Sequence, residues 1–148
     1  PIVNFKYLFI FFKSMQKRYF SLEEAEQIIP DIRKDLMKLI KLKNSINTLS
    51  EVDIEFDDEY VNDRFDTTFN KELHKMSYGF YKIIDKLEKI GCILRDIDIG
   101  LIDFLSVHNG KEICLCYRID ENRIAYWHEL YDGFEGRRPL KELIKRRR

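Results

Sequence analysis

Two long apolar seams constrain this chain more than any other feature. The first runs through Leu22, Ala25, Ile29, Ile32, Leu36 and Leu39, with Lys43 as its one lapse before Ile46. The second runs through Phe65, Phe69, Leu73, Met76, Phe80, Ile83, Leu87 and Ile90. Alternating steps of three and four are the period of a helix that buries one stripe. Two such helices joined by a short connection bury each other as an antiparallel hairpin. The same stripes can serve a partner helix or pair between chains, but Phe, Met and Leu at this spacing read first as core. Local signals agree. Ser21 and Glu24 form a capping box, and Phe20 can staple onto the first turn. Gly91 is placed as a left-handed cap at the end of the second helix. Pro30 lies inside the first seam, which predicts a kink or short break, with proline opening the main helix. An acidic connection of about ten to fifteen residues is expected between the helices. Gly79 offers a place for close approach of the two helices, and His74, off the seam, reads as a surface histidine.

The last third changes period. Asn109-Gly110 inside "SVHNGKEICLCYRI" is a two-residue hairpin signal. Pairing His108 with Lys111 puts Ile102, Phe104, Ser106, Ile113, Leu115 and Tyr117 on one face, which should cover the helices. Leu101, Asp103, Leu105, Cys114, Cys116 and Arg118 take the other. A second turn at "DENR", joining Ile119 to Ile124, places Cys114 opposite Glu129. Tyr126 and His128 then fall on the apolar face, with Ala125, Trp127 and Glu129 on the polar one. A slip of one residue would exchange these assignments. The expected fold is α+β: a long antiparallel helical hairpin on a small three-stranded antiparallel sheet, with a short helix after Pro139. Residues 1–18 read as an appendage and 19–148 as one domain. Within it, 19–91 are the hairpin, 92–140 the sheet and its loop, and 141–148 a basic tail.

Length and charge set bounds. A chain of 148 residues fits one domain with a modest core. Charged residues make up 35%, above the usual quarter, which fits long solvated helix faces. Net charge is zero but unevenly spread. Residues 137–148 hold seven bases and one acid, a local +6, so the rest carries −6. Residues 51–59, EVDIEFDDE, hold six acids and no base. Cys114 and Cys116, two apart on one strand, lie about 6.5–7 Å apart, at the limit for a disulfide. With Cys92 they read as three reduced thiols, which suggests a cytoplasmic setting. The apolar start, PIVNFKYLFIFF, is too short to span a bilayer and lacks a signal-peptide cleavage site. With Met15 following it, residues 1–14 read as an extension from an upstream start, or else as an extra strand or surface anchor.

Chemistry concentrates in "YWHELYDGFEGRRPL", residues 126–140. Two glycines in "DGFEGRRP" let backbone N–H groups converge, and Arg137 and Arg138 can fork onto a carboxylate or phosphate. Equally, Arg137 can pair with Asp132 or Glu129 and pin the loop. On the polar sheet face, an Asp103–Arg118 ion pair is the bland expectation and a pocket under the loop the sharper one. The candidate ligand-binding residues are therefore Asp103, Arg118, Trp127, His128, Glu129, Arg137 and Arg138. Asp96, Asp98, Asp103, Cys114, Cys116, His128 and Glu129 are possible metal ligands, but none has a recognised metal spacing. Asp96 and Asp98 read better as a turn. Neither a metal nor a cofactor is assigned. Cys116 and His128 fall on opposite faces in this register, which argues against a nucleophile–base dyad, and phosphate-loop and dinucleotide fingerprints are missing.

The segments "FSLEEAEQIIP", "GCILRDIDIGLIDF", "LCYRI" and "YWHELYDGFEGRRPL" resemble an uncharacterised prokaryotic family, domain of unknown function 2203, over roughly residues 19–140. The pattern is matched by Gly91, Asp96, Gly100, Leu101, Asp103, Phe104, Leu115, Cys116, Arg118, Trp127, His128, Gly133, Phe134, Gly136 and Arg137. Arg95 stands where Lys is common and Tyr117 where Trp is common, and the usual glycine of the second hairpin is lacking. The resemblance implies a small soluble prokaryotic protein and no particular activity. The reading favoured is a non-enzymatic binding or adaptor module with an anion-contacting loop. The alternative is a small metal- or ligand-dependent enzyme using the polar sheet face. Expected partners are a small anionic ligand or a protein. Nucleic acid is a weaker candidate through the basic tail, because the remainder is acidic. Self-association through the helices is a further option.

Overall fold

The computed structural model describes residues 17–55 and 63–145. The apolar start, the middle of the acidic connection and the last three arginines lie outside the described residues, as do the side chains of Phe65 and its neighbours. The chain opens with α1, Leu22–Glu55, and α2, Asp63–Ile90. Both halves of the capping box form: the Ser21 N–H donates to Glu24 Oε2 at 2.8 Å, and the Glu24 N–H donates to Ser21 Oγ at 3.1 Å. Helix α1 runs unbroken through Pro30, against the expected interruption. It also continues to Glu55, into the acidic stretch, so the connection is shorter than expected.

The helices are antiparallel. Lys86 reaches Asp35 at 2.6 Å, and Gly79 faces Leu42, so one number rises as the other falls. Ala25, Ile29, Ile32, Leu36 and Leu39 are all buried, as their spacing predicts. The α2 stripe is buried along Phe80, Ile84 and Leu87. Ile83, expected in its place, is half-buried beside the core, and Phe69 and Met76 are likewise half-buried. The stripe rotates by one residue where α2 leaves α1 and meets the sheet. His74 is exposed.

Gly91, at φ +99°, ends α2, and five strands follow: β1 Cys92–Asp96, β2 Leu101–His108, β3 Lys111–Arg118, β4 Tyr126–Glu129 and β5 Arg138–Pro139. A short helix, α3, Lys141–Lys145, closes the described chain. The sheet is an antiparallel meander in order β1-β2-β3-β4-β5. It has five strands rather than three. The two added strands are short edges: β1 carries a bulge between Leu94 and Asp96, and β5 is two residues long. Pro139 suits such an edge, since it has no N–H to offer a further neighbour. Asn109 (φ 51°) and Gly110 (φ 75°) turn the β2–β3 hairpin in the left-handed region, which Asn and Gly tolerate best.

The β2–β3 register is the one the sequence implies, from Leu101 opposite Arg118 to His108 opposite Lys111. The β3–β4 register is displaced by one. Cys114 faces His128, not Glu129, and Leu115 faces Trp127. The cause is the connection. The Glu121 N–H donates to the Arg118 carbonyl at 2.9 Å, and the Arg118 N–H donates to the Glu121 carboxylate at 2.8 Å. Ile119 and Ile124 therefore sit in a longer loop instead of pairing. One residue of difference moves Trp127 to the helix-facing side and His128 to the far side. Ile102, Phe104, Ile113, Leu115, Tyr117 and Trp127 join the helices in one core.

Phe80 is 3% exposed in the middle of this core. Phe80→Ala should cost about 3–5 kcal/mol; an unchanged urea midpoint would show that the seam is not core. Gly79→Ala should do the opposite. Its added methyl group would meet Leu42 at 3.7 Å, an ordinary contact, so close approach does not require glycine there. Helix propensity should then raise stability by about 0.5–1 kcal/mol in the same measurement.

Candidate functional site

The far side of the sheet gathers a polar cluster from four strands. Asp103 of β2, Cys114 and Cys116 of β3 and His128 of β4 are buried there, with Arg95 of β1 at the border. Asp103 is the centre. Its Oδ2 lies 2.6 Å from Arg95 Nε and 3.0 Å from His128 Nε2, while its Oδ1, also buried, accepts no hydrogen bond. The other ring nitrogen of His128, Nδ1, lies 2.8 Å from the Glu129 carbonyl. Both ring nitrogens thus face acceptors, the arrangement of a protonated imidazolium. Burial opposes that charge, but the Asp103 carboxylate and the Glu129 carbonyl outweigh it and raise the His128 pKa above 6.5. Burial would likewise push Asp103 up, yet His128 and Arg95 hold it below its usual value. Arg95 Nη2 is 3.9 Å from Cys114 Sγ. Burial, with the Asp103 charge adding to it, still pushes the Cys114 thiol up to about 11, and Cys116 is raised by burial, by the Asp103 charge and by a hydrogen bond to Asp103. Cys92, buried on the core side, is pushed up to about 12 by burial.

The expected site residues divide into groups. Asp103 and His128 meet, which the displaced register makes possible. Arg118 does not reach Asp103; it pairs with Asp120, Nη2 to Oδ2 at 2.9 Å. Trp127 leaves the polar face for the core, and Glu129 is exposed at the strand end. Arg137 is held by Glu121: its Nη2 donates to both carboxylate oxygens, at 2.7 and 2.8 Å. Its guanidinium also lies 4.2 Å above the Tyr126 ring and 5.1 Å from that of Phe134. The loop is pinned, as one of the two sequence readings held, but by Glu121 instead of Asp132 or Glu129. Arg138 lies over Trp127 at 5.1 Å, within 3.7 Å of Asp132 and 4.0 Å of Glu129. Gly136 closes the loop because a Cβ there would stand 2.5 Å from the Cβ of Asp132. Sequence reasoning missed Arg95 and Glu121. Both lie where a strand or turn was misplaced, so neither had a face assigned.

Residues 18–140 match the family described as uncharacterized conserved protein DUF2203. The chain belongs to that family. No curated protein and no solved structure matches it. The sheet cluster and the pinned loop both lie inside the DUF2203 stretch, whereas the last basic residues lie beyond it. Among the described residues, no helix is long and apolar enough to cross a membrane.

The DUF2203 chain has a second feature, a groove of about 880 Å³ along α1 and α2. Leu42, Gly79, Ile83 and Ile90 form its floor, and Arg18, Lys38, Lys82, Lys86 and Lys89 surround it, with Asp85 as the lone acid of the lining. The Arg18 guanidinium donates to the Ile90 carbonyl at 2.8 Å and closes one end. Lys86 and Lys89 pair with Asp35 and Asp85 but remain mostly exposed.

The loop yields a direct test. Arg137→Ala leaves the Glu121 carboxylate without its guanidinium and should cost roughly 1–3 kcal/mol of stability. Arg138 is 39% exposed, and Arg138→Ala should change stability by less than about 0.5 kcal/mol. Equal urea midpoints for the two variants would show that Arg137 is no pin.

Proposed function

We propose that this chain is a non-enzymatic binding module, and that its partner surface is the interhelical groove. The partner is a protein presenting an acidic, amphipathic segment. One observation carries the reading: five cationic side chains surround an apolar floor with a single acid among them. A helix laid in such a groove buries its apolar stripe on Leu42, Ile83 and Ile90 and sets its acids against the lysines. The cations steer the encounter and the apolar contact holds the complex.

The chemistry of the sheet face supports binding over catalysis. A cysteine nucleophile needs a thiolate, and burial pushes all three thiols well above neutrality. Asp103 is engaged by Arg95 and His128, away from solvent. The loop that first suggested an anion contact has its better-placed arginine committed to Glu121.

The test uses a fluorescein-labelled synthetic helix with a leucine stripe flanked by glutamates, followed by fluorescence anisotropy. Binding should weaken as salt screens the charges. Lys38→Glu with Lys82→Glu, both exposed, should lower affinity by about tenfold or more, which is roughly 1.4 kcal/mol. Unchanged affinity in the double variant would overturn the assignment. So would displacement of the peptide by inorganic phosphate at equal concentration, which would make the groove a small-anion site.

A further inference from the structure

We propose that Asp103, Cys114 and His128 form a binding site for a divalent metal ion of the zinc class. Each offers one ligand atom, and the three atoms lie within 4.8 Å of one another. All three residues are buried: Asp103 and Cys114 are 0% exposed and His128 is 2%. They come from three adjacent strands, with Cys114 directly opposite His128 and Asp103 one diagonal step away. A tetrahedral ion with bonds of about 2.0–2.3 Å separates its ligands by roughly 3.3–3.8 Å.

Two details point to an ion beyond the spacing itself. First, Asp103 Oδ1 is a buried acceptor with no donor, while Oδ2 takes both Arg95 and His128. A buried carboxylate oxygen left in this way demands a cation or donor. Second, the Glu129 carbonyl sits 2.8 Å from His128 Nδ1 and holds Nε2 toward Asp103. An imidazole that gives its far N–H to a carbonyl and aims its other nitrogen inward is the usual posture of a metal-bound histidine.

Arg95 looks like an obstacle, but it occupies the other oxygen. An ion on Oδ1 leaves the Arg95–Oδ2 bond in place, and ligating carboxylates are commonly hydrogen-bonded in this way. Arg95 Nη2, 3.9 Å from Cys114 Sγ, is also placed to favour the thiolate. The charge balances. Without metal the cluster holds Asp103 negative with His128 and Arg95 positive. Binding M²⁺ releases one proton from His128 Nε2 and one from Cys114 Sγ, so the buried total is unchanged. Mixed nitrogen, sulfur and oxygen donors select zinc, cobalt or a neighbouring ion over magnesium or calcium.

The experiment takes the full chain, freed of metal by chelator, and titrates it with CoCl₂ and separately with ZnCl₂. Co²⁺ should produce tetrahedral visible bands and a sulfur-to-cobalt charge-transfer band that saturate at one equivalent, and Zn²⁺ should abolish both. Cys114→Ser should remove the charge-transfer band, and Cys92→Ser, on the core side, should leave it intact. His128→Asn should weaken Zn²⁺ binding by more than the roughly 10–100-fold typical of losing an outer-shell partner. The parent titration stands even if a variant misfolds: if it shows no one-equivalent cobalt band, the proposal fails. A band that survives Cys114→Ser with the fold intact would also overturn it.

Discussion

The burial of Trp127 on the helix-facing side of the sheet sets the direction of every neighbour in β4. Side chains alternate along a strand, so once the indole is inside, Tyr126 and His128 must face away from the helices. An aromatic of this size buries roughly 150–250 Å². Tyr126, the other aromatic of β4, stays half-buried on the far side, whereas Trp127 is 4% exposed. The opposite register would put His128 against Leu115 and leave the indole at the far face. The burial of Trp127 and the turn closed by Glu121 favour the same register, and that register assembles the polar cluster as a consequence.

That cluster is expensive, and its members make sense only together. A buried carboxylate is unfavourable by several kcal/mol unless compensated. Asp103 is compensated twice on one oxygen, by a guanidinium and an imidazolium, and left uncompensated on the other. A cluster retained only for stability would be easier to build from apolar side chains of the same volume. The sheet nearly does this already: Leu101 and Leu105, on the same face, are buried without any such network. The contrast along β2 marks Asp103 as a position where stability has been given up for something else, which is where functional residues tend to be found.

Much of this was legible in the sequence. Helix existence, the capping box, the first seam and the Asn109-Gly110 hairpin are local, and local chemistry determined them. The errors have two origins. β1 and β5 are short edge strands with almost no periodicity of their own, and they exist because β2 and β4 offer unpaired backbone. Glu121 lengthens the second turn through side-chain bonds that no turn motif announces. From that one-residue error followed the wrong faces for Trp127 and His128, while Arg95 was missed with β1 and Arg118 turned to Asp120 in the loop. The size of Trp127 was the available signal: placing the largest apolar residue of β4 inward would have put His128 on the face of Asp103. Arg137 shows the other limit. A sequence can show that a loop arginine is near acids, but not which acid the folded turn delivers.

The family match begins at residue 18, and the structure gives that boundary a physical meaning. Strand β1 covers β2 only as far as Phe104, where Cys92 is its partner. Beyond that point the β2 edge is open, and an open edge must be paired, covered or charged. The chain just before α1 supplies the cover. The Phe20 N–H donates to the Leu105 carbonyl at 2.8 Å, and the Phe20 ring packs edge-on against Phe104 at 5.2 Å. Arg18 stacks over Phe20 at 4.4 Å and bonds to the end of α2, while Lys17 reaches Glu112 at 2.9 Å on β3. Residues 17–20 thus fasten three elements at once: the sheet edge, the close of α2 and the start of α1. Lys17 and Arg18, grouped with the appendage on sequence grounds, act as part of the folded unit. Arg18 also forms one end of the basic groove, so the segment that completes the sheet completes the proposed partner surface as well.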